Sequence, residues 1–154
     1  MEPQNTRLSS CPVRGGAYVL HLIVKRTVTL CAGAIGAITL LSGHYVYVGS
    51  ARKSIKSRVA RHRRLALTKA GKLHWHIDYL LVRPEIELIG EEAFAEYREC
   101  DIAQRIASLK GASVPVPRFG ASDCRSGCGT HLFRVEELEK NKISPVLFQS
   151  QKGQ

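Results

Sequence analysis

The chain has 154 residues, enough for one domain with its own core, and 44% of them are hydrophobic, an ordinary value for a globular protein. No apolar run reaches the ~20 residues that span a bilayer, and five cysteines, an odd number, argue against a secreted disulfide framework. The 23 lysines and arginines outnumber the 13 aspartates and glutamates and give a net charge of +10. We therefore expect a cytoplasmic protein without a secretory signal, no membrane contact, and a polyanionic partner such as nucleic acid.

The first half of the chain predicts an antiparallel meander. Tyr18–Lys25 is rich in valine, isoleucine and leucine, which is typical of a strand. Thr27–Cys31 predicts a second strand, and two glycines then mark a bend before Ile38–Leu41. A third strand is predicted over His44–Gly49. Because the links are short, we expect these strands to pair in sequential order.

A basic helix is predicted after the third strand. Ser50 is a fair N-cap for Arg52–Leu67, whose sparse apolar residues recur at helical spacing among mostly basic side chains. The compact segment His74–Val82 follows, with two histidines, the only tryptophan and Asp78. On a strand, its alternating side chains His74, His76 and Asp78 would share one face.

Further elements complete the prediction. Glu85–Ile89 predicts a strand, Glu91–Leu109 a second clear helix with acidic residues in its first half, and Leu132–Val135 a short last strand. The expected fold class is α/β, or α+β: a small, mainly antiparallel sheet of about three to five strands, flanked by two main helices. We expect a loose arm over residues 1–14, a single domain over 15–140 and a frayed tail over 141–154.

The basic helix indicates a phosphate-binding surface. Seven cations fall within thirteen residues: Arg52, Lys53, Lys56, Arg58, Arg61, Arg63 and Arg64. For most of them a solvated basic face is the simpler interpretation. Arg58 differs because it lies next to Val59, at the edge of the buried stripe, from where its planar donor fork could reach a phosphodiester near the third strand. The candidate nucleic-acid-binding side chains are Arg52, Lys56, Arg61, His62, His74 and His76.

Two short tripeptides add chemistry to this surface: Gly16-Ala17-Tyr18 and Tyr47-Val48-Gly49. Each tyrosine lies on or beside a strand, so two phenols and the Arg58 guanidinium would form a site for phosphate chemistry. Glu99, on the second predicted helix, could hold magnesium or manganese, which favour oxygen ligands and keep several waters. The alternative for Glu99 is a solvated surface carboxylate.

These residues resemble the GIY-YIG nuclease superfamily, which has two such tripeptides, then a helix with an arginine and a later helix with a glutamate. The chain is most similar to a small prokaryotic branch long labelled a domain of unknown function, sometimes attached to an endonuclease III-type DNA glycosylase. The resemblance spans roughly residues 15–135. Its further blocks are Tyr45–Ala51, His74–Leu80, Phe119–Cys124 and His131–Phe133.

The resemblance implies a metal-dependent endonuclease that hydrolyses nucleic-acid phosphodiester bonds, with DNA as the expected substrate and DNA repair as a context that would supply a protein partner. Glu99 would hold one Mg²⁺ or Mn²⁺ ion. Tyr18, assisted by Tyr47, would orient or deprotonate the attacking water, and Arg58 would stabilise the phosphorane. The chain departs from the branch at Ala17, which replaces isoleucine, and at Lys53–Ile55, where a glycine-rich turn is usual.

The cysteines leave a further interpretation open. Cys124, Cys128 and His131 have a spacing compatible with zinc, and Cys100 could be a fourth ligand. Alternatively, these thiols are small buried hydrophobic groups. Three functions thus stay open: the endonuclease, a non-catalytic nucleic-acid-binding module of the same fold, and a structural zinc protein that docks on an acidic partner.

Overall fold

The framework consists of six strands and four α-helices within the residues that the computed structural model describes, which are 15–95, 97–121 and 127–148. In chain order they are β1 Gly16–Val24, β2 Val28–Cys31, β3 Ala37–Leu40, β4 Gly43–Ala51, α1 Ile55–Thr68, α2 His76–Leu81, β5 Ile86–Ala95, α3 Glu99–Ala107, β6 Leu132–Val135 and α4 Ser144–Leu147. Single 3₁₀ turns lie at Gly33–Ile35 and Glu139–Asn141. No helix in these ranges is long and apolar enough to cross a membrane.

The strands form two sheets rather than one meander. The larger sheet has the order β5-β1-β4-β6, with every neighbouring pair antiparallel, and β2 pairs with β3 in a separate hairpin. The expected sequential pairing is therefore wrong. The reason lies in burial: β1 and β4 are buried on both faces and so take central positions, whereas β2 and β3 alternate buried with exposed residues. The α/β fold class with a small antiparallel sheet is confirmed.

Each face of the larger sheet has its own hydrophobic core. On β1, Tyr18 and Leu20 point to one face, which the β2–β3 hairpin, α1, α2 and Phe119 cover. Ala17 and Val19 point to the opposite face, which α3 and the residues around α4 cover. Since successive side chains of a strand alternate between faces, the order of residues in β1 assigns each apolar side chain to one of the two cores.

The basic helix starts later than expected. Ser54, not Ser50, is the N-cap of α1, and its Oγ accepts a hydrogen bond of 3.0 Å from the backbone N–H of Ser57. Ser50 belongs to β4, because the pairing of β1 with β4 continues as far as Gly16 opposite Ala51. Two predicted helix residues, Arg52 and Lys53, therefore lie in the link between strand and helix.

After α1 the chain forms a short helix and then a longer strand than expected. The segment around His76, whose type the sequence left open, is helix α2, because the buried Asp78 carboxylate accepts hydrogen bonds from the backbone N–H groups of His74 and Trp75. The helix expected from Glu91 begins only at Glu99, because β5 continues to Ala95 in register with β1.

The C-terminal segment is packed where the sequence predicted fraying. Ile143 and Leu147 are buried in the core under α3. The carboxylate of Glu92 accepts hydrogen bonds from the backbone N–H groups of Ile143, at 2.7 Å, and Ser144, at 3.1 Å. These bonds tie the start of α4 to β5. The expected N-terminal arm and the last six residues of the tail lie outside the described residues.

Candidate active site

A cavity of about 830 Å³ opens where β1 begins and β4 ends. Its floor is formed by the sheet, one wall by α1 and α2, and the other by the start of α3. The four residues with predicted catalytic roles all line it: Tyr18, Tyr47, Arg58 and Glu99. We call this cavity the tyrosine pocket. Of the predicted nucleic-acid-binding side chains, Arg52, His62, His74 and His76 line it as well, whereas Lys56 and Arg61 do not.

Strand register brings the two phenols together. Tyr18 lies opposite Gly49 and Tyr47 lies opposite Leu20 in the β1–β4 pair, so both tyrosines project from the same face of the sheet. Gly49 has a steric role here: a Cβ at this position would lie 2.4 Å from Cζ of Tyr18. Gly120, at a φ of +68°, makes room for the second phenol in the same way, since its Cβ would lie 2.9 Å from Cε1 of Tyr47.

Tyr18 is hydrogen-bonded to a histidine. Its hydroxyl lies 2.7 Å from Nε2 of His62, on α1. Burial raises the pKa of Tyr18 to about 12, although the nearby Arg58 charge opposes the shift. Burial also lowers the pKa of His62 to about 4, against the attraction of Asp78. At neutral pH the phenol is therefore protonated and the imidazole neutral, and we assign the phenol as donor and Nε2 as acceptor.

Asp78 lies near the second ring nitrogen of His62, the one that does not face Tyr18. Its Oδ1 lies 3.9 Å from Nδ1 of His62, too far for a hydrogen bond, so only the charge of the carboxylate favours a proton on Nδ1. Burial would raise the pKa of Asp78, but hydrogen bonds from Arg61 and from the backbone of Trp75 and His74 keep it below its usual value. The result is a buried carboxylate that stays charged behind a neutral imidazole.

Arg58 is held at the pocket by two contacts. Its Nη1 donates to the backbone carbonyl of Ser50 at 3.0 Å, and its guanidinium carbon lies 4.3 Å from the centroid of the Trp75 ring. The same ring contacts Arg61 at 4.7 Å, and Arg61 pairs with both oxygens of Asp78, at 3.0 and 3.1 Å. Arg61 therefore belongs to the support of the pocket and not to its lining.

Tyr47 and Glu99 differ in protonation. Burial raises the pKa of Tyr47 well above its ordinary value, so this phenol stays a hydrogen-bond donor. Burial would also raise the pKa of Glu99, but hydrogen bonds with His131 and the Ser50 side chain lower it. Glu99 is the first residue of α3, where a carboxylate also meets the positive end of the helix dipole. The pocket thus holds an ionised, partly exposed carboxylate.

A cluster that could hold a metal ion adjoins Glu99. The ligand atoms of Cys100, Cys128 and His131 all lie within 4.8 Å of one another. We call these three residues the thiol cluster. The backbone fixes His131 from two sides, because its N–H donates to the carbonyl of Phe119 at 2.8 Å and its carbonyl accepts from Val48 at 2.9 Å. Cys124, the further predicted ligand, lies outside the described residues.

The remaining histidines have different surroundings. Nδ1 of His76 accepts a hydrogen bond of 2.9 Å from the backbone N–H of Gly120. The exposed His74 packs its ring edge-on against Trp75, with centroids 4.5 Å apart. Lys56 is exposed on α1, outside the pocket lining.

The sequence predicted no role in the site for three residues that line the pocket, Trp75, Tyr97 and Arg98. Tyr97 and Arg98 are exposed, and both lie before α3, whereas the sequence predicted them within the helix Glu91–Leu109. The support that Trp75 gives to Arg58 depends on a contact between α1 and the start of α2. The available signal was the position of the only tryptophan within a block of histidines and an aspartate.

Residues 17–150 match the family described as Domain of unknown function DUF123, and the chain belongs to this family. The match confirms the small branch that the sequence resembles, while its assignment to the GIY-YIG nucleases stays a prediction. No curated protein and no solved structure matches the chain.

Proposed function

We propose that the protein is a divalent-metal-dependent endonuclease of the GIY-YIG type that hydrolyses nucleic-acid phosphodiester bonds, with DNA as the expected substrate and DNA repair as its context. One observation carries the proposal: Tyr18, Arg58 and Glu99 line a single open pocket, in which the Tyr18 hydroxyl is hydrogen-bonded to the neutral imidazole of His62. An acceptor for protons, a cation for phosphoryl charge and a carboxylate are the groups that phosphodiester hydrolysis requires.

The charge of the protein supports binding of a polyanion at this pocket. The net charge is +10, and Arg52 and Arg98 are exposed among the lining residues. A phosphodiester that entered would meet Arg58 with its guanidinium already oriented by Ser50 and Trp75. Because the donor is oriented in advance, stabilising charge in the transition state requires little reorganisation.

The Tyr18–His62 contact supports a proton path away from the attacking water. A phenol whose pKa is about 12 is a poor base by itself. If the phenol passes its proton to Nε2 of His62 while it accepts one from water, no free phenolate is needed. The positive imidazolium that forms faces Asp78 at 3.9 Å. Burial is the main reason that the pKa of His62 is low, and the Arg58 charge adds to it; a phosphate bound at Arg58 would offset that added part.

Glu99 is suited to a hard divalent cation such as Mg²⁺ or Mn²⁺, because it is an ionised carboxylate in a pocket open to water. When bound, such an ion supplies Lewis-acid polarisation of a phosphoryl oxygen. Tyr47 lines the same pocket and stays protonated, so its phenol is a neutral hydrogen-bond donor there.

We further propose that the thiol cluster binds zinc with Cys124 as a fourth ligand. Thiolate and imidazole ligands suit zinc in a closed tetrahedral site, and the close approach of the three ligand atoms fits this use. In this proposal the zinc is structural and fixes the segment that contains His131 against the start of α3.

The alternative is a nucleic-acid-binding module of the same fold that no longer cuts. The basic surface serves both functions equally. An ionised carboxylate in the pocket favours the nuclease, because a module that only binds a polyanion gains nothing from a negative charge there.

The test is a cleavage assay on branched, flapped, nicked and plain DNA and on RNA, with Mg²⁺ or Mn²⁺. We expect cutting by the wild-type protein and its loss in Glu99→Gln, with nucleic-acid binding retained. Glu87→Gln is the matched control, since Glu87 is an exposed carboxylate on β5, away from the pocket. Binding without cutting of any substrate would favour the alternative module, and full activity of Glu99→Gln would refute the metal-ligand role.

A further inference from the structure

We propose that His131 couples the thiol cluster to the proposed catalytic carboxylate, so that zinc in the cluster sets the affinity of Glu99 for its divalent ion. This inference rests on the proposed function and adds a regulation of the same site. It makes His131 a positioning residue that belongs to two neighbouring centres.

The geometry places one imidazole between the two centres. Nδ1 of His131 lies 2.9 Å from Oε2 of Glu99, and the same side chain is a member of the thiol cluster. Glu99 and Cys100 are consecutive residues in the first turn of α3. The chain therefore presents a carboxylate to the pocket and a thiol to the cluster from adjacent positions.

The two ring nitrogens of His131 have different roles in this proposal. Because Nδ1 faces the carboxylate, Nε2 is the nitrogen that would ligate zinc. A metal on Nε2 fixes the proton on Nδ1, which then donates to Glu99. The ring itself has little freedom, since His131 is 2% exposed and its backbone is bonded to Val48 and Phe119.

Fixing Glu99 matters because the ion needs a correctly oriented oxygen. With Oε2 engaged by His131, and with a further hydrogen bond from Ser50, the carboxylate is held in one orientation at the pocket. Without zinc, the imidazole loses the positive charge of the metal on Nε2, so its Nδ1–H becomes a weaker donor to Glu99. Loss of such an outer-shell partner typically costs about 10–100-fold in metal affinity. We therefore expect weaker ion binding at Glu99 when the thiol cluster is empty.

The experiment measures Mn²⁺ affinity by electron paramagnetic resonance, without nucleic acid, in zinc-loaded wild-type protein and in Cys128→Ser. We expect one zinc per chain in the wild type, little in the variant, and an Mn²⁺ dissociation constant about 10-fold or more higher in the variant. Cys31→Ser is the matched control, because Cys31 is an exposed thiol on β2. Equal Mn²⁺ affinities in the wild type and Cys128→Ser, or a wild type without zinc, would overturn the coupling.

A second measurement separates the coupling from the proposed function. Nitrogen-15 spectra of the His131 ring should show a proton on Nδ1 and a metal on Nε2 in the zinc-loaded protein. Removal of zinc from the wild type should abolish this signature, and this measurement does not require Cys128→Ser to fold. A wild type that binds no Mn²⁺ would refute the catalytic ion, while the ring spectra would still decide the coupling: an Nε2 without bound metal in the zinc-loaded protein would overturn it.

Discussion

The hydroxyl of Tyr18 and Nε2 of His62 are 2.7 Å apart, although 44 positions separate the two residues in the chain. Burial affects the two groups in complementary ways, because it keeps the phenol protonated and the imidazole neutral. The pair is therefore set as donor and acceptor before any substrate arrives. An isolated tyrosine on a strand would not have this property, and the proposed proton path depends on it.

The first prediction is that Tyr18 and His62 act as a unit. Tyr18→Phe and His62→Gln should each lower turnover by about 10²–10⁴-fold, the range for loss of a general acid or base. The double variant should be little worse than the poorer single variant, because removing either partner already interrupts the path. Single-turnover cleavage rates measure this, with Tyr79→Phe, outside the pocket lining, as the control. Losses that multiply in the double variant would show that the two groups act independently.

The second prediction concerns Arg58. Arg58→Ala should lower turnover by about 10²-fold or more, by analogy with loss of an oxyanion donor. Substrate binding should weaken much less, because other cations remain on the surface. Arg64→Ala is the matched control, since it removes an exposed cation from the same helix outside the pocket. Comparison of turnover at saturating substrate settles the point, and an unchanged turnover in Arg58→Ala would remove this residue from the site.

The third prediction is a steep dependence of binding on salt. Each phosphate neutralised by a lysine or arginine releases counterions, so the logarithm of the binding constant should fall linearly with that of the salt concentration. Fluorescence anisotropy with labelled DNA gives the slope. Arg52→Ala should reduce its magnitude by about 1 if Arg52 contacts one phosphate. A flat response between low and moderate salt would contradict a phosphate-tracking surface.

The fourth prediction is a loss of stability in mild acid. The pKa of His62 is about 4 in the folded protein, against an ordinary value of 6.5. The unfolded chain therefore binds the proton first, and the free energy of unfolding falls as the pH drops from 6.5 towards 4. The shift corresponds to at most roughly 3 kcal/mol. Glu92, whose pKa is lowered to about 2, adds a further loss as the pH falls from 4.5 towards 2.

Urea unfolding at several pH values measures the fourth prediction. The slope between pH 6.5 and pH 4 should be shallower in His62→Gln than in the wild type. Burial also lowers the pKa of His44, so part of the slope will persist. His74→Gln serves as control because His74 is exposed. Identical slopes in the wild type and His62→Gln would contradict a neutral, buried His62.

How far the sequence predicts the structure depends on the range of the interactions. The apolar and β-branched character of β1 and β4 is local, and it correctly indicated a strand at each place, with Tyr18 and Tyr47 on these strands. The end of β5 is not local. Glu92 was assigned to a helix because acids are common in a first turn, but it is buried on a strand, where it pairs with His21 at 2.6 Å and with backbone N–H groups after residue 142.

In the candidate site, too, the sequence predicts some features and not the contacts between distant segments. Arg58 and Glu99 could be named from a motif, because resemblance fixes positions in the chain. The support around them could not, since Trp75 reaches Arg58 only after α2 has formed, and α2 forms because Asp78 accepts two backbone hydrogen bonds. The contact of Glu99 with His131 also joins segments that are far apart in the sequence. Partners of this kind are set by tertiary packing, which the pattern of one segment does not encode.

The fifth prediction concerns the second tripeptide. Gly49→Ala would place a Cβ 2.4 Å from Cζ and 2.5 Å from the hydroxyl of Tyr18. Because this phenol lies in the core and is bonded to His62, it cannot move freely, and we expect a loss of about 1–3 kcal/mol in unfolding free energy, as for other overpacked cores. The displaced hydroxyl should also lower turnover.

Gly90→Ala is the matched control for the fifth prediction. Gly90 lies on β5, which also pairs with β1, and its Cβ would meet neighbours only at 3.5 Å or more. Chemical denaturation and cleavage rates of the two variants should therefore diverge. If Gly49→Ala were as stable and active as Gly90→Ala, the close approach of Tyr18 to β4 would be wrong, and with it the placement of this phenol beside His62.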